Sequence, residues 1–494
     1  MRIATILSAL ALGAHGTASA DYTVTVNAKD TMVTWEGWGT SLCWWANVFG
    51  EREDVADVFF TLKDSVSIKD GPANLPALGF NIARYNIGGS GNNVIDNNGK
   101  KESMKHSENM PAHRFMETFW LDWFNSDPKS SSWNWNADPR QRKMVQLAKA
   151  RGVNHLEAFS NSPPWWMTKN HATAGADLFG FLDNLQSWNY ETFAVYLATV
   201  VKYAKDNWGF EFDYVEPFNE PMTGWWLFPG KQEGCHVIVT TQNTVIKHLR
   251  RHLNDRGLQS VQIAASDENS PGVAFTTLGM MALSSDVINA VNKVNTHGYM
   301  GLEPYRGPLR GALRDLSKSL GKRLWDSEYG EGDGSGLSLA ESVGLDINEM
   351  GVSAFVYWQV LDIDGWGLIQ SRLQDNFIGG ANGKYFALAQ YSRHIRPGMA
   401  IIRNSDSKTV VSYDAGRKVL VVVTVNMDAN SQTISFDLSQ YKNVAGPVKT
   451  WVTETSDGGK RYQTSTSGSL DGKTLRSSFP AKAVLTFEIE GVEL

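Results

Sequence analysis

The chain has 494 residues, 42% of them hydrophobic and 20% charged, with a net charge of −6. It is too long for one ordinary domain and has the composition of a globular protein. The acidic balance, with a pI near 6.0, argues against nucleic acid as a partner, and beyond the N-terminus no run reaches the roughly 18 apolar residues that a membrane helix needs.

Residues 1–20 read as a secretory signal, with Arg2 as the basic start, an apolar stretch over 3–14, and Ala18-Ser19-Ala20 as a small-residue cleavage site. The mature chain is then a secreted, extracellular protein that begins at Asp21. Within residues 21–34, Tyr22-Thr-Val-Thr-Val26 alternates like a strand with one buried face. A strand–helix rhythm follows over 35–396. Eight short apolar runs closed by turn residues lie near 35–42, 80–87, 156–160, 214–218, 261–265, 293–296, 323–327 and 354–358. Amphipathic helical periods at 140–151, 190–205 and 245–255 fall between them, two of them stopped by Gly152 and Gly257. Strand and helix in alternation imply a parallel sheet, and eight repeats imply closure. The fold class is therefore α/β, a (β/α)8 TIM barrel. From 397 to 494 the pattern changes to short β-rich runs separated by turn signals such as Asp457-Gly-Gly459. This reads as an appended antiparallel β-sandwich that the N-terminal strand completes.

Long connections at 88–140, 161–189 and 221–240 follow the second, third and fourth strands. Loops of that length in a compact domain are usually functional. Eighteen Trp is an unusual number. Most should fill the core, but Trp44-Trp45, Trp165-Trp166 and Trp225-Trp226 all come just after predicted strands, where an indole face can stack on a sugar ring. Cys43 and Cys235 are the only cysteines. Secretion permits a disulfide, and two buried free thiols are the alternative. No Asn-x-Ser/Thr acceptor occurs.

Two stretches carry the chemistry. Tyr214-Val-Glu-Pro-Phe-Asn-Glu-Pro221 closes the fourth strand and Leu324-Trp-Asp-Ser-Glu-Tyr-Gly330 the seventh. Alternation along a strand puts Glu216, Phe218 and Glu220 on one face, and Asp326 with Glu328 on another. The carboxyl ends of barrel strands are where catalytic groups collect, and two carboxylates across one cleft are what glycosidic cleavage requires. Alone, either could be a paired surface carboxylate; together at one mouth, Glu220 reads as the general acid/base and Glu328 as an ionised nucleophile. That pairing predicts a mildly acidic optimum. Glu216 and Asp326 read as deeper, salt-bridged groups. Arg84 either holds the nucleophile charged or pairs with Glu216. His297 is placed to contact sugar hydroxyls, Tyr299 to donate to Glu328, and Trp358 to form an apolar platform. No metal-ligand spacing and no phosphate-cradling glycine turn stands out, so neither metal nor cofactor is expected.

These motifs resemble glycoside hydrolase family 30. The resemblance rests on Gly37-Trp-Gly-Thr-Ser-Leu-Cys-Trp-Trp45, Ser162-Pro-Pro-Trp-Trp-Met167, Phe218-Asn-Glu-Pro221 and Trp325-Asp-Ser-Glu328, in that order. It spans nearly all of 21–494 and is greatest with the family's fungal endo-β-1,6-galactanases. The resemblance implies Glu220 as acid/base, Glu328 as nucleophile and Asn219 as a donor near the sugar 2-hydroxyl, with Arg84, Trp166, His297, Tyr299 and Trp358 shaping the subsite. It implies an enzyme acting on the β-1,6-galactan side chains of arabinogalactan proteins, and a monomer is expected. A family relative acting on β-1,6-glucan, xylan or glucosylceramide is the alternative. A wall-binding lectin on the same barrel is a further one, against which the presence of both glutamates speaks.

Overall fold

Eight parallel strands close a barrel in the computed structural model, which describes residues 21–178, 180–299 and 306–494. The secretory segment read at 1–20 lies outside the described residues. The strands are Gly37–Ser41, Ile82–Asn86, His155–Phe159, Tyr214–Glu216, Gln262–Glu268, Val291–His297, Arg323–Tyr329 and Ala354–Tyr357. Each pairs with its neighbours in sequence, and the eighth returns to the first. All eight runs expected from the sequence are strands. Nearly all their residues are buried, because helices cover the outside and side chains fill the inside. The fourth strand stops early: Pro217 has no N–H with which to continue the ladder. Glu220 therefore lies in the turn beyond the strand and not at its end, a correction to the reading from alternation.

The barrel interior is layered. Ile82, Tyr214, Trp325, Ala354 and Val356 pack together near the N-terminal ends of the strands. The Lys293 ammonium lies 3.1 Å from the Trp325 ring centroid and 4.0 Å from that of Tyr214. Above this layer the interior becomes charged, and above that the chain opens to solvent.

Helices Pro139–Lys149, Tyr190–Tyr203 and Val239–Asp255 match the three amphipathic periods. The last begins six residues before its apolar period, over the polar Thr240-Thr241-Gln242.

A second, ten-stranded sheet runs through Tyr22–Thr34 and folds over to sandwich an apolar core. The first part of Tyr22–Thr34 pairs with Gln432–Asp437 and the rest with Ala400–Asn404. The pairing with Gln432–Asp437 is parallel, so the sandwich is antiparallel everywhere except at its N-terminal strand. The helix Gly383–Ser392 joins the sandwich to the barrel: Gln390 Nε2 donates to Thr453 Oγ1 at 2.8 Å, and Thr486 Oγ1 donates to the Gln390 carbonyl at 3.0 Å. Both cysteines are buried free thiols.

Candidate active site

Arg84 organises the charged layer. On adjacent parallel strands it stands in register beside Glu157, so the two side chains enter the barrel together. Its Nε donates to Glu157 Oε1 at 2.7 Å, one terminal nitrogen to Asp267 Oδ2 at 2.6 Å, and the other lies 3.5 Å from Glu328 Oε2. Arg84 thus supports Glu328. Its other partners are Glu157 and Asp267 and not Glu216. Lys293 Nζ donates to Glu157 Oε2 at 2.5 Å. Burial lowers the Lys293 pKa to about 8, against the pull of Glu157. Burial alone would raise Asp267, but Arg84 and His297 outweigh it and hold this carboxyl below the usual range.

Glu157, Asp267 and Lys293 were not singled out from the sequence. The available signal was a charge inside, or just past, a run predicted to be a fully buried strand. Glu216 is buried as expected but lacks the expected cation. It accepts the Phe218 N–H at 3.3 Å, its second oxygen has no partner among the described residues, and burial beside Asp267 and Glu157 holds its pKa well above the usual carboxylate range. Asp326 likewise lacks its own salt bridge. Burial and the neighbouring Asp346 hold its pKa well above the usual carboxylate range, while Arg310 pairs with Asp346 at 2.6 Å. Asp326 Oδ1 accepts the Glu328 N–H at 3.2 Å and so anchors the backbone of that residue.

Glu220 is held by its own turn. Its φ is +47°, in the left-handed region where a non-glycine residue costs about 1–2 kcal/mol. Surrounding bonds impose it: the Glu220 N–H donates to the Asp267 carbonyl at 2.8 Å, and its carbonyl accepts from Thr223 Oγ1 at 2.7 Å and Trp226 Nε1 at 2.9 Å. The side chain is fixed as well. Trp225 Nε1 donates to Oε2 at 3.2 Å, and His297 Nδ1 lies 3.1 Å from Oε1.

Glu328 faces it from the seventh strand, in register with His297 on the sixth. Tyr299 Oη donates to Glu328 Oε1 at 3.2 Å, as expected. His297 Nδ1 is 3.5 Å from the same oxygen, and its Nε2 is 3.3 Å from Asp267 Oδ2. Burial would lower the His297 pKa, but Glu328 and Asp267 overcome it and hold the ring well above the usual imidazole range. His297 is fully buried and does not line the cleft. It is a positive bridge between Glu220 and Glu328. Burial lifts the Glu328 carboxyl to about 7, His297 and Arg84 pull it down, and Glu220 pushes it up. The free site therefore gives Glu328 a stronger hold on a proton than a freely ionised nucleophile would have.

An oxygen of Glu220, a nitrogen of His297 and an oxygen of Glu328 lie within 4.8 Å of one another, a spacing that could suit a metal ion.

The two carboxyls open into a cleft of about 440 Å³. Asn219, Tyr299 and Trp358 line it, as read from the sequence. Buried Asn219 Oδ1 has no partner among the described residues, which leaves that oxygen available to a ligand. Trp44, Arg114, Trp225, Trp226 and Trp366 also line the cleft. The Arg114 guanidinium stacks 4.2 Å from the Trp44 ring, and Trp44 meets Trp358 edge-on at 5.1 Å. Of the three Trp pairs flagged in the sequence, Trp45 and Trp165 fill the core. Trp166 does not reach this cleft, contrary to expectation. Its Nε1 donates to the Trp120 carbonyl at 2.9 Å and its ring packs edge-on against Trp120. A larger depression, about 600 Å³, lies at the opposite end of the barrel around Glu36, Arg323 and Ser353. That end bears on stability in such barrels.

A carboxyl pair this close, at the C-terminal mouth of a (β/α)8 barrel with indole walls, belongs to a glycoside hydrolase. Residues 21–303 match the sequence model of O-Glycosyl hydrolase family 30, and the chain belongs to that family. It is 44% identical to an endo-β-1,6-galactanase from Hypocrea rufa, over 99% of each chain. It is 22% identical to an exo-β-1,6-galactobiohydrolase from Bifidobacterium longum subsp. longum, over 83% of this chain and 35% of that protein. Among solved structures, the catalytic domain of a GH30 xylanase C from Talaromyces cellulolyticus has the same fold. The TM-score is 0.69 at 21% identity, covering 95% of this chain and all of that one.

Proposed function

We propose that this chain is a secreted, monomeric, endo-acting β-1,6-galactanase that works with net retention, with the galactan side chains of arabinogalactan proteins as its substrate. The observation that carries the reading is 44% identity, end to end, with an endo-β-1,6-galactanase. The chemistry follows from the site. Glu328 attacks the anomeric carbon, the bond to the leaving O6 breaks, and Glu220 delivers its proton to that oxygen. Water then attacks the galactosyl ester, Glu220 takes a proton from it, and Glu328 leaves as a carboxylate. Oxygens within 4.8 Å of each other leave little room for a water between sugar and nucleophile, which favours this double displacement over direct attack by water. The unpartnered Asn219 Oδ1 is available to accept from a sugar hydroxyl next to the reacting carbon. Trp225, Trp358 and Trp366 offer apolar surface to the rings on either side.

Incubation with β-1,6-galactan, β-1,3-galactan, β-1,6-glucan, xylan and glucosylceramide should give short β-1,6-galacto-oligosaccharides from the first within minutes. A higher rate on β-1,6-glucan would overturn the substrate assignment, and early release of monosaccharide alone would overturn the endo mode.

The His297 bridge makes a separate prediction. The acidic limb of kcat/KM reports the free-enzyme carboxyl that must ionise. With Glu328 near 7 that limb should lie closer to neutrality than the mildly acidic optimum suggested by two ordinary carboxylates. His297 is the main group pulling the Glu328 pKa down, so His297→Gln removes a positive charge and lets it rise. The acidic limb should move to higher pH. A pH profile of the variant that superimposes on wild type would show that His297 is not the charge partner of the nucleophile.

A further inference from the structure

A second aromatic pocket lies on loops at the same barrel face and shares no lining residue with the catalytic cleft. Trp123, Trp166 and Trp188 line it, with Glu102, His171, Gln186 and Asn189, around a volume of about 310 Å³. Trp188 is 75% exposed, and Phe124, next to Trp123, is 59% exposed. Single exposed apolar residues are ordinary, but an exposed indole set against two others in a concave site is not. The base of Trp188 is rigid. It sits on the short turn Ser187–Asn189, whose flanks Gln186 and Asn189 are buried. Asn189 Nδ2 donates to Gln186 Oε1 at 2.7 Å, and Gln186 Nε2 donates to the Thr168 carbonyl at 2.9 Å. Trp123 and Trp166 pack together with ring centroids 5.9 Å apart. The polar groups gather beside them: His171 Nδ1 stands 3.8 Å from Glu102 Oε2, and neither is fully buried.

Indole faces with a carboxylate and an imidazole at their edge match a pyranose, which has an apolar face of C–H groups and a rim of hydroxyls. The loop that carries the pocket is tied to the loop that walls the cleft, through bridges Ala174–Gly234 and Ala176–Leu227. We propose that this pocket is a second carbohydrate-binding site, which holds a pyranose residue of the polysaccharide substrate away from the bond being cut. Its ligand class rests on the glycanase reading above. A preformed Trp anchor of this kind should carry a large share of the affinity.

The test uses the full chain with Glu328→Gln, which binds without turnover, and soluble β-1,6-galactan as the probe. Trp188→Ala should weaken binding of the polymer by about tenfold. Trp188→Phe, which keeps a flat face, should retain most of it. In the active enzyme, Trp188→Ala should raise KM for the polymer and leave kcat/KM for a short galacto-oligosaccharide unchanged. Trp188 is so exposed that its removal should not alter the denaturation midpoint. Polymer affinity unchanged in both Trp188→Ala and Trp123→Ala would overturn the site. So would an equal loss on polymer and short substrate, which would assign Trp188 to the catalytic cleft. No binding of any galactan by the Glu328→Gln protein would instead reject the substrate reading on which the site rests.

Discussion

Glu328→Gln should reduce hydrolysis of β-1,6-galacto-oligosaccharides by about 10⁴-fold or more if Glu328 forms the glycosyl–enzyme bond as proposed. Glu220→Ala should cost about 10²–10⁴-fold, the usual worth of a positioned acid/base. The two losses should respond differently to azide. In Glu220→Ala the sugar can still reach Glu328 when the leaving group needs no proton, and azide, which needs no general base, then replaces water and yields a β-galactosyl azide. In Glu328→Gln there is no intermediate for azide to intercept on that face. Proton NMR of early wild-type hydrolysis should show the β-anomer first, since two inversions restore the starting configuration. Appearance of the α-anomer first would make Glu328 a base and not a nucleophile. A β-azide product from both variants would reject the division of roles.

Arg84→Leu should destabilise the fold by about 3–5 kcal/mol, the usual consequence of removing one partner of a buried ionic cluster. Arg84 is fully buried against Glu157 and Asp267, and Lys293 neutralises only one side of Glu157. Urea denaturation should show the loss as a lower midpoint at nearly constant slope. The pH dependence carries a definite sign. Asp267 is held below its ordinary value, so its pairing stabilises the protein above the unfolded aspartate pKa, about 3.9, and that contribution is lost as pH falls through the folded value. The gap between wild type and variant should therefore narrow in acid. A gap below about 1 kcal/mol at neutral pH, or one that widens as pH falls, would mean that these carboxyls do not depend on Arg84.

Much of the architecture was legible in residue order. A short apolar run closed by Pro or Gly is a local signal, and eight of them separated by helical periods leave little choice but a closed parallel barrel. The C-terminal β-rich tail was legible for the same reason, although strands such as Ala400–Asn404 and Thr474–Phe479 escaped notice because their alternation is broken by polar residues. The parallel pairing of the N-terminal strand with Gln432–Asp437 joins segments some 400 residues apart, and no local pattern encodes it. Glu220 and Glu328 stood out because each is a carboxylate at the end of such a run.

What lies around those two glutamates was decided only in three dimensions. Side chains pointing into a barrel choose partners by strand register and height, which sequence spacing does not report. Arg84 therefore met Glu157 and Asp267, and Glu216 was left without a cation, its pKa raised by burial. His297, in register with Glu328, is fully buried and does not line the cleft. The tryptophans divide in the same way. Neighbours in sequence, Trp44 and Trp45 go to the cleft and the core, and Trp166 turns to a different pocket altogether. Residue order determined the barrel and its two carboxylates, because hydrophobic period and turn chemistry act over a few residues. The charges, indoles and imidazole that tune those carboxylates were settled by tertiary packing, because burial and Coulomb interactions depend on distance through space and not along the chain.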